Sequence, residues 1–135
     1  MPSQYIYRCF KTTWGIYVGM TAELIPYAGY EGAVIEAAAG VYLAFGDFFI
    51  APDEIEFLKL GVRLVEKPLR EKLAEKLPVV IRILAFDIAH TDYEPEGMVY
   101  VMVGWLRQET GIEYMLADPV FDKVANRYVF DFPEV

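Results

Sequence analysis

The stretch that most constrains this chain runs from Pro52 to Gly111, where two amphipathic helical patterns flank an almost unbroken apolar strand. Pro52 stands where a helix needs no N–H, and Asp53, Glu54 and Glu56 put negative charge at the positive end of the helix dipole. Ile55, Leu58, Val62, Val65, Leu69 and Leu73 then recur at helical spacing, lining one face with aliphatic groups that must be buried. Pro68 removes one backbone bond and crowds the carbonyl of the preceding turn, which predicts a kink or a restart there. A shorter, charged segment follows from Leu69 to Leu77, and Pro78 ends it.

From Val79 to Ala89 the chain reads VVIRILAFDIA, rich in β-branched and aromatic residues and broken only by Arg82 and Asp87. Such a run predicts a central strand, covered on both faces or lying mid-sheet. After the polar segment His90 to Glu94, Pro95 is placed to open a second helix with the apolar stripe Met98, Val101, Met102 and Trp105. Gly97 and Gly104 fall on nearly one side of it, where the missing side chains let a neighbour come close. Arg107 in the last turn and Gly111 just beyond form a helix stop.

At 135 residues the chain is expected to be one domain, spanning 1–135, with a core of its own. Hydrophobic residues make up 56% of it, above the ~45–50% of average soluble domains. That surplus points to a homodimer. Twenty acidic residues against twelve basic give a formal charge of −8, which argues against nucleic acid as a partner. The one basic cluster, Lys67 to Lys76, interleaves Arg70, Lys72 and Lys76 with Glu71 and Glu75, as a solvated helix face does. One cysteine, Cys9, allows no internal disulfide. No basic-then-apolar leader opens the chain, and the most apolar region, Ala37 to Phe45, is too short to span a bilayer. No membrane association and a cytoplasmic location are expected.

Gln4 to Phe10 has strand composition, with neither side clearly wet, and Ile16 to Leu24 alternates cleanly: Ile16, Val18, Met20, Ala22 and Leu24 inward, Tyr17, Thr21 and Glu23 outward. Together they predict a hairpin. Pro26 to Gly32 reads as a loop with two exposed tyrosines, and Ala33 to Ala39 is left open between helical turn and strand. Val41 to Ile50 reads as a strand, with Gly46 and Asp47 marking a bulge or a turn in it. Glu113 to Phe121 and Arg127 to Phe132 predict a C-terminal β-hairpin, Pro119 pushing its first arm to an edge. That hairpin either completes the sheet or reaches a partner subunit.

The order helix, PVVIRILAFD, AHTDYEPEGMVYVMVGW resembles the fourth domain of elongation factor G, in which a helix leads through a Pro-Val-Val strand and an acidic turn to a helix with small residues. Pro78, Val79 and Val80 match the strand entry, Asp92 the turn aspartate, and Glu96 the acid opening the last helix, with a spacing difference of a residue or two before Met98. Lys11, Gly15 and Tyr17 echo the family's Lys-x-x-Gly-Gly-Arg-Gly-Gln-Tyr segment without its arginine and most of its glycines. The resemblance covers roughly half the chain and implies an α+β fold: two layers, a mixed four- to five-stranded sheet, two helices on one face and a left-handed βαβ crossover. It also implies a ribosome-associated module, although the chain has neither a phosphate-binding loop nor a basic tip.

The candidate chemistry sits at the junction Asp87, His90, Thr91, Asp92, Glu94, where a lone histidine between carboxylates is the arrangement of a general base with a fixed tautomer. The competing expectation is that Thr91, Asp92 or Glu94 caps the next helix and His90 is a turn residue. One histidine and one cysteine exclude the usual zinc sets. Cys9 reads as buried packing, Ser3 is the only serine, and Gly29 and Gly32 lack a phosphate-loop context. Trp14, Tyr27 and Tyr30 are expected to pack rather than stack on a ligand. No cofactor and no metal are expected, and the chain reads as a small non-enzymatic interaction protein, with a ribosomal module or a ligand binder using His90 as alternatives.

Overall fold

The structure is a computed structural model that describes residues 1–135. Seven strands and three α-helices make an α+β fold, and five of the strands form one mixed sheet. Strands β1 (Ser3–Cys9) and β2 (Ile16–Pro26) make the expected hairpin. In β1 the two sides do differ: Tyr7 and Cys9 are buried, while Ile6 and Arg8 face outward. Strand β5 (Val79–Ile88) is central, antiparallel to β2 and parallel to β4 (Val41–Phe45). The segment left open, Ala33 to Ala39, holds the edge strand β3 (Ile35–Ala38), antiparallel to β4.

The first helical pattern divides into α1 (Pro52–Leu64) and α2 (Glu66–Lys72). Pro68 has no N–H for the Leu64 carbonyl, so the chain leaves helical geometry at Val65 and regains it with the Leu69 N–H donating to Val65 O at 2.9 Å. Leu58, Val62, Val65, Leu69 and Leu73 are all buried. The second helix, α3 (Gly97–Thr110), starts two residues after Pro95 and ends at Gly111 with φ 77°. Pro95 contributes its carbonyl instead, which accepts from Met98 N at 3.0 Å.

Both long helices lie on one face of the sheet, α3 over β1 and β2 and α1 over β3, touching each other between. Small residues set the spacing. A Cβ on Gly97 would stand 2.9 Å from Val18 Cγ2, and one on Gly104 would overlap the Tyr5 ring, so α3 approaches the hairpin as closely as its backbone allows. Gly61 does the same between helices: its Cβ would stand 2.9 Å from Met102 Cβ. On the open face the strands carry polar cross-strand pairs, Arg82 to Glu23 at 2.8 Å and Tyr17 to Asp87 at 3.1 Å. The sheet edges are covered by side chains. Arg63 Nε donates to Ala37 O at 3.0 Å and Arg70 donates to Ala39 O beside β3, while Gln108 donates to Gln4 O at 3.0 Å on β1.

The C-terminal strands are shorter than their composition predicts. Only β6 (Val120–Asp122) and β7 (Arg127–Val129) pair, forming a two-stranded sheet of their own. It does not complete the main sheet; its inner side packs on the β1–β2 turn. Phe121 and Tyr128 meet Trp14 edge-on at 5.8 and 5.9 Å, and the Tyr128 hydroxyl accepts from Lys11 N at 2.9 Å and donates to Trp14 O at 3.0 Å. Residues 113–119 run without regular structure and are tied down by two tyrosines: Tyr100 donates to Ala117 O at 2.9 Å, and Tyr7 to Asp118 Oδ1 at 3.0 Å. No helix is long and apolar enough to cross a membrane.

Candidate functional site

The junction between β5 and α3 does not assemble the histidine-centred group. Asp87 leaves the open face of the sheet and accepts from Tyr17. His90 is exposed on a single 3-10 turn, His90–Asp92. Asp92 points the other way, its Oδ1 accepting from Gly15 N at 2.9 Å, which ties this turn to the start of β2. Each aspartate therefore already serves a backbone or tyrosine donor, and neither orients the imidazole. The capping expectation fails as well, because α3 begins without a side-chain cap and its first N–H groups donate to the carbonyls of Glu94, Pro95 and Glu96. Burial pushes the Glu94 carboxyl above the usual carboxylate range, and the neighbouring Glu96 adds to the shift.

Cys9 is buried in β1, and burial pushes its thiol up, away from the thiolate a nucleophile requires. Trp14 packs on the hairpin and Tyr27 stacks on Tyr42 at 4.4 Å, so both are used in packing. No group of three or more His, Cys, Asp or Glu side chains converges as a metal site would need.

The chain does form a concave site elsewhere. A cleft of about 370 Å³ opens beyond the end of β4, lined by Asp47, Phe48, Phe49, Ile50 and Glu54 and by Leu84, Ala85, Phe86 and Ile88 of β5, with Met98 at its floor. Its origin is a register shift. Thr21 pairs with Ala85 but Ala22 with Ile83, so Leu84 is an extra residue in the strand. The last pair between β4 and β5 is Phe45 with Ile83, and beyond it β5 runs on with no neighbour on that side. Glu54, at the third position of α1, accepts from Ala51 N at 2.8 Å and from the Tyr93 hydroxyl. Burial and that carboxylate raise Tyr93 above the ordinary tyrosine range.

No protein-family model matches this chain, and no curated protein matches it. The site is therefore described by its own geometry: an apolar hollow with two carboxylates at its rim, and no His90 in its wall. The reading from residues alone missed it, since a cleft made by a bulge and a strand overhang leaves no motif. Gly46 and Asp47 were the signal, a break in the middle of a strand pattern.

Proposed function

We propose that the protein is a non-enzymatic interaction protein that self-associates through its C-terminal hairpin and works in a reducing compartment such as the cytoplasm. The observation that carries it is the outer side of β6 and β7. Val120 and Val129 are directly paired and both open to solvent, at 69% and 42% exposure, and Val124 at the turn is 99% exposed. A two-stranded ribbon is marginal in water unless something covers it or extends it. Trp14 covers the inner side; nothing in the chain covers the outer. A second copy fits best, because a two-fold axis sets the same exposed valine face of each ribbon against the other and covers both at once.

Sedimentation velocity over micromolar concentrations is expected to show a monomer–dimer equilibrium. Val120→Lys with Val129→Lys is expected to give a monomer with an unchanged circular dichroism spectrum, both side chains being exposed. A wild-type protein that sediments as a monomer throughout that range removes the proposal.

A second proposal, attachment to the ribosome, rests on the likeness to the fourth domain of elongation factor G. The succession α1, α2, β5, turn, α3 with the long helices over one sheet face favours it, and the formal charge of −8 opposes it. Co-sedimentation with purified ribosomes is expected at moderate salt, where the repulsion between the acidic chain and ribosomal RNA is screened. Absence from the ribosomal pellet there ends this proposal.

A further inference from the structure

We infer that the cleft beyond β4 is a binding site for a small organic cation, an amine or quaternary ammonium carried on an apolar body. This goes beyond self-association and uses a different part of the molecule. The cleft is held open by the fold. The chain leaving β4 turns at Gly46, whose N–H donates to Ile83 O at 2.9 Å, and passes so close to β5 that a Cβ there would stand 3.2 Å from Leu84 O. Phe48 is then fixed edge-on against Phe45 and Phe86, at 6.3 and 5.7 Å between ring centres. The wall is thus part of the packed structure, and the volume of about 370 Å³ lies within the ~300–1,000 Å³ of small-molecule sites.

The lining selects the ligand. Phe48, Phe49, Phe86, Leu84, Ile88 and Met98 offer ring faces and aliphatic surface, and the only charged groups are Asp47 and Glu54. Two carboxylates with no Lys, Arg or His among the lining residues repel an anion and attract a cation, and aromatic faces favour a cation over a neutral group of the same shape. The two acids do different things. Both oxygens of Glu54 are occupied, by Ala51 N–H and the Tyr93 hydroxyl, so it supplies charge without being free to move. Asp47 is exposed and forms no hydrogen bond or ion pair, which leaves it to meet the cationic head. Phe49, a large ring 88% exposed at the rim, gains cover from the apolar body of the ligand.

The test is an NMR titration of methyl-labelled protein with benzyltrimethylammonium, beside benzyl alcohol as a neutral and phenylacetate as an anionic relative. Benzyltrimethylammonium is expected to shift the methyl signals of Leu84, Ile88 and Met98 to saturation in the millimolar range. Benzyl alcohol is expected to bind about five-fold more weakly or worse, as is the cation to Asp47→Asn. Phe49→Ala is expected to weaken it by a similar factor. Both side chains are exposed, so the variants keep the fold. Phenylacetate binding as tightly as the cation, an Asp47→Asn affinity equal to wild type, or no shift of these methyl groups overturns the inference. A protein that proves monomeric leaves it standing.

Discussion

Trp105→Ala is expected to cost about 3–5 kcal/mol of folding stability, the range for removing a fully buried indole. That is a large part of the ~5–15 kcal/mol a domain of this kind holds, so the variant should be partly unfolded at 37 °C. Trp105 is 0% exposed and sits in α3 beside Gly104, where the helix lies closest to β1. Its Nε1 donates to Ser3 O and Oγ, both at 3.1 Å, so the same ring fills the core and fastens the first strand. Trp105→Phe keeps an aromatic ring but loses the donor, and is expected to cost less than the alanine. Urea unfolding of the three proteins measures this. A loss for Trp105→Ala below about 1 kcal/mol, within the range of ordinary point substitutions, would mean that α3 does not anchor β1 as described.

Alkaline unfolding is the second large effect. Tyr7 and Tyr100 stack at 4.6 Å between ring centres in the core, and burial raises both above the ordinary tyrosine value of 10, with Asp118 nearby opposing a second negative charge. Below pH 10 folded and unfolded chains both keep these protons, and no pH dependence arises from them. Above it the unfolded chain releases protons that the folded chain retains, so stability falls as pH rises. Each such group removes about 1.4 kcal/mol per pH unit, so the two together remove about 3. Cys9, also raised by burial, adds to the decline from its ordinary value of 9.0 upward. Thermal melts between pH 9 and pH 11.5, with tyrosinate absorbance followed in parallel, are expected to show a steep loss of stability and a step of tyrosine ionisation at unfolding. Complete ionisation of the tyrosines in a chain that stays folded would contradict the burial of this pair.

Much of this architecture was legible because local pattern and tertiary packing agree. The aliphatic spacing from Leu58 to Leu73 predicts a buried face, and those residues are buried. Gly97 and Gly104 predict a close neighbour, and the Val18 and Tyr5 side chains are there. The central position of β5 follows from its unbroken apolar run. Where the prediction fell short, a distant partner decided. Ala33 to Ala39 has no strong preference, and Ile35–Ala38 becomes a strand only because β4 offers it an edge. Residues 113–116 have strand composition, yet the chain around them is held by tyrosine hydroxyls from α3 and β1. Asp92 looked like a helix cap and is spent on Gly15, 77 residues earlier. The candidate site was the least legible part, because Leu84 acquires its role only from a register that no local spacing records.

The two arginines at the β3 edge, Arg63 and Arg70, reach across from α1 and α2 to occupy carbonyls that would otherwise lie open. They act as stoppers on a sheet that is unbounded at that side. A short strand with an open edge is a template onto which further chains can add, and the guanidinium seated on Ala37 O takes away one of the acceptors such addition would use.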